Sequence, residues 1–107
     1  MLPKNRKPTH PGEILKYEYL EPLGMTEQQL AESLGISQGF VNDLIQEKSS
    51  VTPDIAFRLA RLFNTSAEFW LNLQRHTDMW DALQIYGHEY EKIFPLSAAA
   101  KREASGS

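Results

Sequence analysis

LAESLGISQGFVNDLIQEK, residues 30–48, sets one glycine between two runs of apolar residues at helical spacing. Leu30, Ala31 and Leu34 form one inward face, and Val41 and Leu44 form the next. Gly35 stands where the first run stops, because a left-handed residue closing a helix costs glycine least. Ser37 then caps the second run, which continues to about Gln46. Two short helices joined by a short turn containing glycine describe a helix-turn-helix. Ala31 is small where the second helix must cross closely, Val41 is placed to pack against it, and Ile36 plugs the turn. The second helix is thereby held steeply with its amino-terminal end projecting, a shape that fits a DNA major groove. An ordinary helical corner uses the same small residues, so turn, spacing and caps carry the reading together.

Outward from this stretch the three- and four-residue apolar steps continue, and strand signals are nearly absent. His10 is a candidate cap, and Pro11 with Glu13 starts helix one, which carries Ile14, Leu15 and Tyr19 and is expected to end at Pro22 and Gly24. Thr26 opens helix two with Gln29 as its capping-box partner. Thr52, Pro53 and Asp54 start helix four, whose apolar face is Ile55, Ala56, Leu59, Ala60 and Phe63. Asn64 stops it, and Ser66 caps helix five, which runs through FWLNLQRHTDMWDAL towards Tyr86. Gly87 is expected to interrupt it, with HEYEKIF adding a short turn. The expectation is an all-α fold: a flexible basic arm over 1–9, a helix-turn-helix DNA-binding and dimerisation domain over 10–86, and a short helical turn with a flexible tail over 87–107.

A chain of 107 residues, 41% of them hydrophobic, makes one domain with a small core. It has no cysteine, which excludes disulfides and thiolate metal sites. MLPKNRKPTHPG holds no apolar run of signal-peptide length, and no segment reads as a membrane span, so a soluble cytoplasmic protein is expected. The net charge of −3 argues against a surface given over to nucleic acid. Lys4, Arg6 and Lys7 nevertheless make a basic arm on a body made acidic by Glu13, Glu18, Glu21, Glu27 and Glu32. His76 with Asp78, and His88 with Glu89, lack metal-ligand spacing such as HExxH. With no phosphate loop or nucleophile motif either, no enzyme, metal or cofactor is expected.

HPGEILKYEYLEPLGMT, the helix-turn-helix, and VTPDIAFRLARLFNTSAEFWLNLQ together resemble the HigA-type antitoxins, within the Xre/Cro-like repressors. The resemblance covers about residues 8–83. It implies a five-helix, lambda-repressor-like fold with an extended fifth helix, a homodimer, and binding to the promoter of its own operon as a palindromic double-stranded operator. It also implies a partner toxin resembling RelE-type ribosome-dependent ribonucleases. A solitary regulator without a toxin, and a protein-binding module that has lost DNA contact, remain alternatives.

On the superfamily pattern, Gln38, Gly39, Asn42 and Asp43 fall on the exposed side of helix three. Gln and Asn amides can pair with adenine, and Asp can accept from a cytosine amino group. Phe40 reads as packing. Thr26, Gln28 and Ser37 at helix starts, and Lys48 and Ser49 beyond helix three, are phosphate candidates, with capping an equal role for the first group. Lys48 is the only cation from Gly35 to Val51. Arg58 and Arg61 are expected to pair with glutamates of helix one. Phe69, Trp70, Leu73, Trp80 and Leu83 exceed what one small domain buries and are the candidate dimer interface.

Overall fold

The computed structural model describes residues 7–96. Helix α1 covers residues 11–23 as three continuous segments: Pro11–Ile14, a wider π-helical stretch Leu15–Leu20, and Glu21–Leu23. Helices α2 to α5 span Glu27–Leu34, Gln38–Ile45, Pro53–Phe63 and Ala67–Glu91. Among the described residues there is no strand, and no helix is long and apolar enough to cross a membrane.

The caps fall where the residue types place them. Thr26 and Gln29 exchange side-chain and backbone bonds of 2.9 and 3.0 Å at the start of α2. Gly35 closes that helix at φ 72°. Ser37, Thr52 and Ser66 open α3, α4 and α5, and Asn64 ends α4 in the left-handed region.

Helix α1 ends at Gly24 as expected, but two residues expected to break helices do not. Pro22 lies within α1, which stops only at Gly24. Proline lacks an N–H, and its ring crowds the carbonyl four residues back. The turn before it is widened, with Glu21 N bonding the carbonyl of Lys16, and this gives the ring room. Gly87 likewise does not interrupt α5, which passes the expected 86/87 boundary and ends at Glu91. A helical glycine costs about 1 kcal/mol, too little to break a helix by itself.

The core is closed by Leu15, Leu30, Val41, Leu44, Ala56, Leu59 and Trp70, all wholly inaccessible. Trp70 therefore belongs to the core and not to a dimer surface. It sits on the inward face of α5, 5.6 Å from the Tyr19 ring and 6.4 Å from Phe63. Its indole Nε1 donates to Thr65 Oγ1 at 2.7 Å. Leu73, one turn on, is half-buried against the same core. Gln74 and Thr77 are still buried, and only beyond Thr77 does the helix leave the body: the molecule is 56 Å long, with a radius of gyration of 17.6 Å. A compact chain of 100 residues would have about 13 Å.

Candidate nucleic-acid interface

α3 and the segments before and after it are held at three points. A Cβ on Gly12 would run into the carbonyl oxygen of Leu44, so α1 begins directly against α3 and only glycine fits. His10, buried beside it, caps α1 by accepting from Gly12 N through Nδ1 at 2.9 Å. Burial holds this imidazole below its usual pKa, against the opposing pull of Glu47. From α4, Arg58 Nη1 donates to the carbonyl of Leu34 at 2.7 Å, while Nε reaches both oxygens of Asp54 at 3.1 Å. Arg58 thus clamps the turn and does not pair with a glutamate of α1. Arg61 shows no such pair among the described residues either. The third grip is Gln74 of α5, whose Oε1 accepts from Val51 N at 2.8 Å and whose Nε2 donates to Asp78 at 2.9 Å.

The first turns of α3 stand clear of these contacts. Gln38, Gly39 and Asp43 are exposed and Asn42 is half-buried. Gln38 and Asn42 lie four residues apart, on one face. Asn42 Nδ2 donates to Glu27 Oε1 at 3.1 Å across to α2. Phe40 turns the other way and packs against the core. Thr26, Gln28 and Ser37 are exposed at the starts of α2 and α3. The hydroxyls of Thr26 and Ser37 already accept cap bonds from Gln29 N and Phe40 N. A hydroxyl keeps a donor hydrogen for a phosphate oxygen while it caps. Lys48 is exposed and Ser49 half-buried in the loop that Gln74 holds.

Within residues 27–51 Glu27, Glu32, Asp43 and Glu47 outnumber Lys48, and Arg58 of α4 reaches in at the turn. Lys4 and Arg6 of the basic arm lie outside the described residues, as does the tail from residue 97. Lys7 reaches Asp81 at 3.8 Å in a half-exposed surface pair. Two surface hollows, of about 370 and 300 Å³, are lined by no residue of α3. Among the described residues no three acidic or histidine side chains group to hold a metal ion.

Sequence reasoning missed Glu27, Arg58 and Gln74 as parts of this site. Each acts across a helix boundary on a residue at least fifteen positions away. Helical periodicity carries no signal for such partners.

A projecting, polar-faced second helix behind a glycine turn defines a DNA-reading helix-turn-helix. The helix-turn-helix family profile HTH_3 matches residues 16–70. The HTH-type transcriptional regulator YbaQ of Escherichia coli K12 is 50% identical over 76 residues, covering 71% of this chain and 67% of the relative. Antitoxin HigA-1 of Vibrio cholerae is 37% identical over 99 residues, covering 92% and 93%. The solved structure of Pseudomonas aeruginosa antitoxin HigA with the higBA promoter has a TM-score of 0.80 at 41% identity, covering 84% of this chain and 99% of that one. The chain belongs to the helix-turn-helix family of DNA-binding regulators, in the group that includes the HigA antitoxins.

Proposed function

We propose that this chain is a DNA-binding repressor and the antitoxin of a toxin–antitoxin pair, dimeric on a palindromic operator in its own promoter. The observation that carries the reading is the polar face of α3, on which Gln38 is exposed and Asn42 half-buried four residues on; Thr26, Gln28, Ser37, Lys48 and Ser49 are the proposed phosphate contacts. The promoter complex of a HigA relative supports both the operator and the antitoxin role. Such a protein works in the cytoplasm, needs no cofactor and has no catalytic role. Its toxin is a RelE-like ribonuclease, neutralised by tight protein–protein binding.

Gln38 specifies sequence, because its amide offers a donor and an acceptor to one base edge. Lys48 anchors, because phosphate is alike at every step. Gln38→Ala should cost about 1–3 kcal/mol on the operator and much less on random duplex. Lys48→Ala should weaken both alike and flatten the slope of log K against log salt by about one unit per contact. With so few cations near α3, the total slope should be shallow unless the Lys4–Lys7 arm contributes, which deleting the arm tests. Equal losses for Gln38→Ala on both duplexes in a salt titration would show that α3 does not read bases.

A solitary regulator is the second reading, favoured by the 50% identity to a relative named only as a transcriptional regulator. A small basic ribonuclease-like reading frame immediately beside the gene would decide between them, and co-expression with its product would test the pairing. Co-purification and relief of growth arrest are expected of an antitoxin, and neither of a solitary regulator.

A further inference from the structure

We infer that Glu27 is a positioning residue for base reading: its carboxylate holds the Asn42 amide in one orientation, so that α3 presents a fixed donor–acceptor edge. This rests on the base-reading role of α3 proposed above and adds a residue outside α3.

The geometry is a bond of 3.1 Å from Asn42 Nδ2 to Glu27 Oε1, between the second turn of α3 and the first turn of α2. An ionised carboxylate only accepts hydrogen bonds, so the nitrogen of the amide must face it. One amide hydrogen is committed to Glu27. The other, with Oδ1, remains for a base. An amide free to turn by half a revolution could exchange its donor and acceptor and suit different base edges. Here that turn would set Oδ1 against a carboxylate oxygen. The fixed order selects one hydrogen-bonding pattern in the major groove, where each base pair presents its own.

Glu27 is itself well anchored. It is the first residue of α2, directly after Thr26, whose reciprocal bonds with Gln29 set the first turn of that helix. A carboxylate here also favours the helix amino terminus, but that effect is indifferent to the residue at position 42. The same negative charge lies beside the surface offered to phosphates, so it must lower affinity for every sequence alike. Glu27 therefore trades general affinity for discrimination.

The test measures binding of the full chain to a duplex selected from a random pool, and to single-base variants across each half-site. Asn42→Ala should lose discrimination at its own base pair by about five- to a hundredfold. Glu27→Ala should lose most of the same discrimination at the same base pair. Glu27→Gln can offer the Asn42 amide either a donor or an acceptor, so it should also lose discrimination at that base pair, while binding every duplex more tightly. In the Asn42→Ala background, Glu27→Ala should remove no further discrimination. If Asn42→Ala loses discrimination and Glu27→Ala does not, the inference is overturned while base reading stands. If Glu27→Gln discriminates as sharply as the parent, an acceptor-only group is not what fixes the amide, and the inference is again overturned. If Asn42→Ala leaves every base preference intact, base reading at this position fails and the inference with it.

Discussion

His10 shows how much one side chain can contribute when it is buried and capping. Its Nδ1 accepts from Gly12 N, so that nitrogen must be unprotonated in the folded chain. Burial lowers the imidazole pKa, while Glu47, Asp78 and Glu13 pull it upward and Lys7 adds to the lowering. An unfolded histidine protonates near pH 6.5, so below that value the unfolded chain binds the proton first. The stability due to neutral His10 is full above about pH 6.5 and is lost as pH falls from there through the lower, folded value. His10→Asn keeps a capping oxygen and removes the titration. Between about pH 7 and pH 5.5, the melting temperature of the parent should fall more steeply than that of His10→Asn. Parallel slopes would show that His10 does not carry this pH dependence.

At the scale of elements, the turn between α2 and α3 is held from outside as well as by its own glycine. Gly35 supplies the left-handed conformation, and Arg58 Nη1 bonds the carbonyl that ends α2. A charge-assisted bond to an orphan carbonyl at a helix end stabilises both the end and the angle of the next helix. Arg58→Ala should destabilise the fold by about 1–2 kcal/mol in urea unfolding. Arg58→Lys should recover only part of this, because an ammonium cannot bond Asp54 and the turn with one planar fork. Full recovery by lysine would show that charge, and not the fork, holds the turn. The π-helical stretch of α1 belongs to the same scale, since it admits Pro22 while letting the helix continue to Leu23.

At the scale of the molecule, α5 has two different halves. Its first turns bury Trp70, Gln74 and Thr77 and tie the core to both the entry of α1 and the loop after α3. Its far half carries Met79, Leu83, Tyr86 and Tyr90, each roughly half-exposed, on the part of the chain that projects. These four recur at steps of four, three and four residues, the spacing of a helix-pairing stripe. We propose that the operator-binding dimer uses this stripe with Trp80; of the other residues expected at the interface, Trp70 lies in the core, Leu73 is half-buried against it, and Phe69 sits edge-on to Trp70 at the start of α5. Leu83→Glu should give monomers of unchanged helicity with weaker operator binding, because its site is open in the single chain. Half-sites of that operator should lie about 34 Å apart, or a multiple of it. Sedimentation showing an unchanged dimer would remove this stripe as the interface.

Local chemistry alone determined where most helices begin and end. Thr26, Ser37, Thr52 and Ser66 each accept a bond three residues on, and Gly35 and Asn64 turn left-handed. These are interactions within one turn of chain, so they are written in adjacent letters. The helix-turn-helix and the exposure of Gln38, Gly39 and Asp43 follow from the same periodicity. Gly12 reads as part of a cap until Leu44 is seen against it. Glu27, Arg58 and Gln74 read as solvated helix residues until their partners in other elements come within bonding distance. Trp70 and Leu83 are alike in the sequence as apolar residues of one helix, yet one is wholly buried and the other 51% exposed. That division depends on where α1 and α4 stop covering α5. Only the tertiary structure decides it, because burial is a property of neighbours brought together by folding and not of a residue's own chemistry.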